Sequence, residues 1–220
     1  MVINNENIGE IISIIKKEVK NYDVPVVTLM SLQKRDPFKV LFATIISLRT
    51  KDEVTYEASK RLFKKANCTK EILKLSETEL RKIIYPAGFY KTKAKNMLRI
   101  ANIIEEKYDG RIPDEMIELL ELPGVGRKTA NLVLIEGYGK EGICVDTHVH
   151  RITNRWGYVK TKSAEETEFS LRKKLPKEYW KDINWILVAY GQHLCKPVSP
   201  FCSKCKLLDY CAKKGVVKSR

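Results

Sequence analysis

The chain has 220 residues, with 41 Lys and Arg against 27 Asp and Glu, for a formal charge of +14 and an isoelectric point near 9.4. That length buries a substantial core as one domain or two small ones. Basic charge spread along the whole chain points to a nucleic-acid partner, with an anionic membrane surface as the weaker alternative. The longest apolar run, Trp185 to Tyr190, is far too short to cross a bilayer. Met1 to Lys20 is punctuated by Asn, Glu and Lys and shows no leader pattern. The expectation is a soluble intracellular protein whose six cysteines are not structural disulfides.

In chain order, nearly every segment has helical spacing. Ile8, Ile11, Ile12, Ile15 and Val19 form one apolar face of an N-terminal helix. Asp36-Pro37 starts a second helix that runs to about Leu48. A third runs from about Asp52 to Lys65, with Tyr56, Leu62 and Phe63 available for its inner side. Val24 to Thr28 gives an isolated hint of strand. Ser76-Glu77-Thr78-Glu79 and Ser163-Ala164-Glu165-Glu166 fit the capping box, so a helix follows each. Lys91 to Tyr108 makes a long helix with Ala94, Met97, Leu98, Ala101 and Ile104 inside, ended by Asp109-Gly110. Asp146-Thr147 opens a helix toward Trp156, and Asp182 opens another that reaches Leu194. The fold class is all-α.

Leu122-Pro-Gly124-Val-Gly126-Arg127-Lys128-Thr-Ala130 lies between two helical stretches, Asp114 to Glu121 and Arg127 to Gly137. Gly124 and Gly126 tolerate positive φ and leave backbone N–H groups uncovered. A helix N-terminus behind such a turn attracts anions, and in a basic chain the obvious anion is a nucleic-acid phosphate. Lys128 falls in the first helical turn as a candidate amine nucleophile, or as a simple phosphate contact. The helix N-terminus and Arg127 both disfavour further positive charge there. In Val145-Asp146-Thr147-His148, Asp146 reads most simply as a helix N-cap. A cap also fixes a carboxylate rigidly, which suits catalysis. His148 and His150 stand two apart on a helix and face different directions.

Cys195, Cys202, Cys205 and Cys211 are separated by six, two and five residues. Four thiolates in that span can enclose one metal centre. A structural zinc and an iron–sulfur cluster both remain open on spacing, with the single close pair between two longer spans leaning to the cluster. Either would fold an otherwise weakly specified loop. Lys196, Lys204 and Lys206 lie inside it, facing either solvent or a phosphate backbone. Cys144, in an apolar run, reads as a core residue.

With these motifs in this order, the chain resembles the endonuclease III family of DNA glycosylases, in the helix-hairpin-helix superfamily. The likeness rests on Leu122 to Asn131, Val145 to His148 and the four-cysteine spacing. It extends more weakly through Ile46 to Asp52, Ala87 to Ala94 and Asp109 to Pro113. The resemblance implies two helical domains with DNA in the cleft between them. One is a six-helix barrel over about 30–140; the other joins residues 1–29 to 141–220 and holds a [4Fe–4S] cluster on the four cysteines. It implies a monomer that acts on double-stranded DNA containing damaged bases or abasic sites. The activity implied is removal of oxidised pyrimidines with the nucleotide flipped out, then strand cleavage by β-elimination. Lys128 carries over as the nucleophile and Asp146 as the essential carboxylate. Gly124, Gly126 and Arg127 carry over to the DNA backbone contact. Arg49 stands where family members commonly have Gln, in a loop that fills the space the flipped base leaves. Phe89 matches a position that wedges into the duplex; the bland alternative is a core aromatic. The rival readings are a mismatch glycosylase for T or U opposite G, or for A, and a non-catalytic iron–sulfur protein that binds DNA or senses redox state. Related mismatch enzymes often lack the lysine.

Overall fold

The structure, a computed structural model, describes residues 2–20, 22 and 35–220. Among these described residues it has eleven α-helices and no strand, and no helix long and apolar enough to cross a membrane. The strand hint at Val24 to Thr28 lies outside the described residues. The chain divides into two compact units: Met1–Pro25 with Glu141–Arg220, and Val26–Lys140.

In the second of these units the central element is Pro37–Ser47. It follows α1 (Ile8–Val19) in the chain and is α2. Asp36 accepts the Lys39 N–H at 3.1 Å, and Pro37 occupies the first helical position. Phe38 and every residue from Val40 to Ile46 are buried, so this helix has no polar face to leave in water. Against it pack α3 (Asp52–Lys65) and the later α6 (Tyr90–Tyr108), while α4 (Thr69–Leu73) lies on α6 and α5 (Glu77–Ile84) on both α3 and α6.

Local chemistry explains their ends. At α5 the Ser76 hydroxyl accepts the Glu79 N–H, and the Glu79 carboxylate accepts the Ser76 N–H at 2.8 Å. At the end of α6, Asp109 and Gly110 turn left-handed, φ 50° and 78°. The inner side of α3 is Thr55, Ala58, Ser59 and Leu62. Tyr56, expected among them, is one position off that stripe and stays 45% exposed. On α6 the inner residues are Lys93, Ala94, Met97, Ile100, Ala101 and Ile104; Leu98, expected inside, is half-buried.

The unit is completed by α7 (Met116–Leu120), a Gly-containing turn, and α8 (Arg127–Leu132), which widens into a π-helical turn at Val133–Gly137. The helical stretch expected from Asp114 begins only at Met116, with Glu115 extended as its N-cap residue, and the Asp114 carboxylate meets the Lys140 ammonium at 2.9 Å. Gly137 seats against Pro37: a Cβ there would come 2.8 Å from the Pro37 Cα.

The other unit holds α1, α9 (Thr147–Trp156), α10 (Ala164–Lys174) and α11 (Ile183–His193). The isoleucine face of α1 shares one core with Ile152, Trp156 and Leu187. Cys144 is buried. At α10, Ser163 caps the Glu166 N–H at 3.1 Å, but the Glu166 carboxylate returns to the Lys162 N–H rather than to Ser163. Asp182 precedes α11 without capping it. Its carboxylate is taken by the Lys16 ammonium and by the Trp185 indole N–H at 3.2 Å.

The Ser76–Glu79 box is the one fully reciprocal cap of the two expected. Ser76→Ala is expected to lower stability by about 1 kcal/mol, whereas Asp182→Asn leaves the start of α11 unaffected. Thermal unfolding of the two variants checks this.

Candidate functional site

The hairpin in the unit Val26–Lys140 is built on one position that only glycine takes without strain. Pro123 and Gly124 hold the centre of a turn closed by the Val125 N–H donating to the Leu122 carbonyl at 3.0 Å. Gly124 has φ +82°, the pattern of a type II turn. Gly126 does not share that need. Its φ of −102° and ψ of 177° are extended, and it serves as N-cap residue of α8. A Cβ on Gly126 would meet nothing within 4 Å. This glycine therefore leaves open space beside the backbone rather than relieving strain. The helical ladder starts with the Ala130 N–H donating to the Gly126 carbonyl at 3.0 Å. Lys128 is exposed in that first turn and Arg127 is half-buried beside it.

Two further turns of the same unit meet each other. Arg49, just after α2, has φ 51°, and Phe89, just before α6, has φ 56°. Left-handed backbone is uncommon for side chains of this bulk. Phe89 is 62% exposed, which removes the core-aromatic alternative. The Arg49 guanidinium carbon lies 5.6 Å from the centre of the Phe89 ring, within cation–π range. Gly88 lets the turns approach: a Cβ on it would fall 2.4 Å from the Arg49 carbonyl oxygen. The Gly88 N–H donates to the Thr50 hydroxyl at 3.1 Å.

Behind these turns sits Lys93, a residue that sequence reading passed over. Its ammonium donates to the carbonyls of Ile46 at 2.7 Å and Leu48 at 2.6 Å, and to the Thr50 hydroxyl at 2.9 Å. Burial pushes its pKa down to about 8. The signal was available in the spacing, since Lys93 shares a helical stripe with Met97, Ile100 and Ile104.

In the unit containing 141–220, Asp146 caps α9. One carboxylate oxygen accepts the N–H groups of both His148 and Val149 at 2.9 Å, and the residue is buried. His148 and His150 take different partners, Arg151 at 3.0 Å and the Thr167 hydroxyl at 2.7 Å. Further along α9, Arg151 donates to the Cys195 carbonyl at 2.8 Å. Arg155, one turn on, donates to the carbonyls of Lys196 and Pro197, both at 2.7 Å.

Cys195, Cys202, Cys205 and Cys211 line one cavity together with Trp156, Leu194, Pro200 and Phe201. Three of the sulfurs have polar neighbours. Arg155 donates to Cys195 at 3.4 Å, the Lys213 N–H to Cys211 at 3.4 Å, and the Tyr190 hydroxyl lies 2.8 Å from Cys205. Burial pushes the Cys205 and Cys211 thiols up. Among the described residues no three His, Cys, Asp or Glu side chains converge tightly enough to hold a single ion. Of the loop lysines, Lys206 pairs with Glu18 at 2.8 Å, while Lys196 and Lys204 flank the Phe201 ring.

Lys128 thus belongs to one unit and Asp146 to the other, with Arg49 and Phe89 sharing the unit of Lys128. Residues 42–177 match the model of the HhH-GPD superfamily of base excision DNA repair proteins. The chain is 47% identical over 193 residues to endonuclease III of Thermotoga maritima, covering 86% of this chain and 91% of that protein. It is 44% identical over 187 residues to endonuclease III homolog 2, chloroplastic, of Arabidopsis thaliana, covering 81% of this chain but 48% of that protein. A solved structure of a trapped endonuclease III–DNA covalent intermediate superposes with TM-score 0.85 at 32% identity, covering 96% of this chain and 97% of that one. The fold is that of a helix-hairpin-helix base excision repair enzyme. Within that superfamily the chain belongs to the endonuclease III family.

The two hairpin glycines should respond differently. Gly124→Ala, at φ +82°, is expected to cost about 1–2 kcal/mol, and Gly126→Ala much less. If the space beside Gly126 admits a DNA backbone, Gly126→Ala weakens duplex binding at nearly unchanged melting temperature. Paired melting and binding measurements check both.

Proposed function

We propose that this DNA glycosylase and abasic-site lyase removes oxidised pyrimidines from duplex DNA, with Lys128 as its nucleophile and Asp146 as its essential carboxylate. The observation that carries the reading is Lys128 itself: an exposed amine in the first turn behind Pro123-Gly124, inside the stretch Leu122 to Asn131 on which the resemblance to the family rests. A mismatch enzyme would not need that amine, and a non-catalytic DNA-binding protein would leave it unexplained.

The neutral amine of Lys128 forms a bond to the sugar C1′ as the bond from C1′ to the base breaks. The base departs with the electron pair and takes up a proton. Opening of the sugar ring then gives a Schiff base between C1′ and the lysine nitrogen. Loss of a C2′ proton expels the 3′ phosphate and cuts the strand, and water releases the enzyme. Asp146 assists Lys128 deprotonation and stabilises cationic character at the sugar. Its double backbone cap holds the carboxylate still for both tasks. Gly124, Gly126 and Arg127 hold the DNA backbone, and Arg49 and Phe89 fill the gap the flipped nucleotide leaves. Arg49 carries donors only, so it engages the orphan base through that base's acceptors. The protein acts as an intracellular monomer.

Cys195, Cys202, Cys205 and Cys211 would hold a [4Fe–4S] cluster. The donor set fits: four sulfurs on one cavity otherwise bounded mainly by apolar side chains, with N–H donors aimed at two of them. Buried thiolates crowded this way need a compensating cationic centre. When bound, the cluster supplies structural cohesion to the cysteine loop rather than a chemical step.

Incubation with abasic-site DNA and borohydride is expected to give a covalent protein–DNA adduct, and Lys128→Ala to give none. Undiminished adduct in that variant would remove Lys128 as nucleophile. Asp146→Asn preserves a good N-cap residue, so folding and DNA binding persist while turnover falls by roughly 10²–10⁴. Parallel losses of binding and turnover would reduce Asp146 to its capping role. The purified protein is expected to be brown and to carry about four iron atoms per chain; a colourless protein with one zinc would overturn the cofactor assignment.

A further inference from the structure

We infer that Lys93 is a positioning residue, which ties the turn carrying Arg49 to the turn carrying Phe89 so that both side chains meet a duplex as one preassembled wedge. The inference rests on the glycosylase reading above for what the wedge enters, and on the geometry alone for how it is held.

The oxygens that receive the Lys93 ammonium belong to Ile46, Leu48 and Thr50, alternate residues bracketing Arg49. Helix α2 ends at Ser47, so the Ile46 carbonyl is among the last four of that helix, which the helix itself cannot satisfy. A cation there also meets the negative end of the helix dipole. Capping alone would end with those carbonyls. The third bond reaches further, because the same Thr50 hydroxyl also accepts the Gly88 N–H. One oxygen thus joins the two turns, and Lys93 is joined to both of them. Lys93 stands in the first turn of α6, where its own N–H donates to the Phe89 carbonyl at 3.0 Å. The side chain therefore holds the Arg49 turn while its backbone holds the Phe89 turn.

Both wedge residues sit in left-handed backbone, a conformation that persists only where the surroundings impose it. Lys93, Thr50 and the close packing of Gly88 on the Arg49 carbonyl provide those surroundings. An apolar residue on the stripe of Met97, Ile100 and Ile104 would bury at lower cost than an ammonium. The depressed pKa of Lys93 reflects that cost. The chain bears it at the point from which both exposed side chains are aimed. Arg49 and Phe89 are also already in contact, so less ordering is left for the moment of insertion.

The test uses the full chain with its cofactor and two variants, Lys93→Met and Thr50→Val. Three readouts are compared: excision from a duplex holding an oxidised pyrimidine, borohydride adduct with a single-stranded abasic oligonucleotide, and emission of a fluorescent adenine analogue placed opposite an uncleavable abasic site. Lys93→Met is expected to lower duplex excision about 10- to 100-fold. Its single-strand adduct should stay within about two-fold of wild type, since no wedge is needed there. Binding should unstack the fluorescent base in wild type and much less in Lys93→Met. Thr50→Val, which keeps two of the three ammonium bonds but loses the Gly88 bond with the third, should change the readouts in the same direction. Wild-type duplex excision and emission in Lys93→Met would overturn the inference. So would proportionate loss of the duplex and single-strand reactions, which marks general destabilisation. If wild type makes no adduct and excises nothing, the glycosylase reading fails; an emission rise lost in Lys93→Met would then still support the wedge.

Discussion

From Val40 to Ile46 the helix α2 gives water almost no surface, and α3, α6, the helix of Lys128 and its π-helical turn all pack against it. Burying each of its large apolar side chains is worth roughly 1.5–3 kcal/mol, which makes this helix the hardest element to move. Its two ends then dictate the unit's working edges. At the N-terminal end Pro37 meets Gly137, closing the π-helical turn that continues the helix of Lys128. At the C-terminal end its unsatisfied carbonyls draw in Lys93, and with Lys93 come the turns of Arg49 and Phe89. The nucleophile candidate and the wedge candidates thus lean on opposite ends of one buried rod.

What the sequence made legible was local. The α1 stripe, the Asp36-Pro37 start, the Ser76 box and the Asp109-Gly110 stop each depend on residues within a turn or two. The all-helical class followed from them. The misreadings share a different cause. Asp114 falls in a helical spacing, yet its partner Lys140 lies 26 residues on, out of reach of any local pattern. Asp182 was read as a cap, although Lys16, some 166 residues away in the chain, takes part of its carboxylate. Gly126 was paired with Gly124 as a positive-φ residue because both are glycines. Only Gly124 needs that conformation; Gly126 gains its meaning from empty space, which a sequence does not display. The helical stripe of Lys93 is legible in the spacing, but its three acceptors lie more than forty residues away and are not.

The candidate site residues divide along a similar line. Their choice rests on motif order: Lys128 behind its turn, Asp146 before its helix, four cysteines at a fixed spacing. Their support was not. Nothing in the spacing of the cysteines announces Tyr190 or Arg155 beside the sulfurs. Nothing around Arg49 announces that its backbone would be left-handed and its guanidinium set over Phe89. A motif specifies the group that performs a task, whereas the constraints that aim it come from parts of the chain distant in sequence.

The helix α9 shows how such constraints combine in the other unit. Its first residues are fixed by Asp146, whose single oxygen takes two backbone N–H groups and so cannot swing without breaking both. Its last turns are fixed by Arg151 and Arg155, which donate to carbonyls of the cysteine loop and to Cys195 itself. The cap is local and needs nothing but the first turn of helix. The arginine contacts need the loop to be folded, and a loop this rich in Lys, Pro and Ser has little apolar surface with which to fold itself. A cluster on the four cysteines would therefore act on the far end of the helix that presents the carboxylate. Its contribution there would be mechanical support for Asp146, delivered through two guanidinium groups.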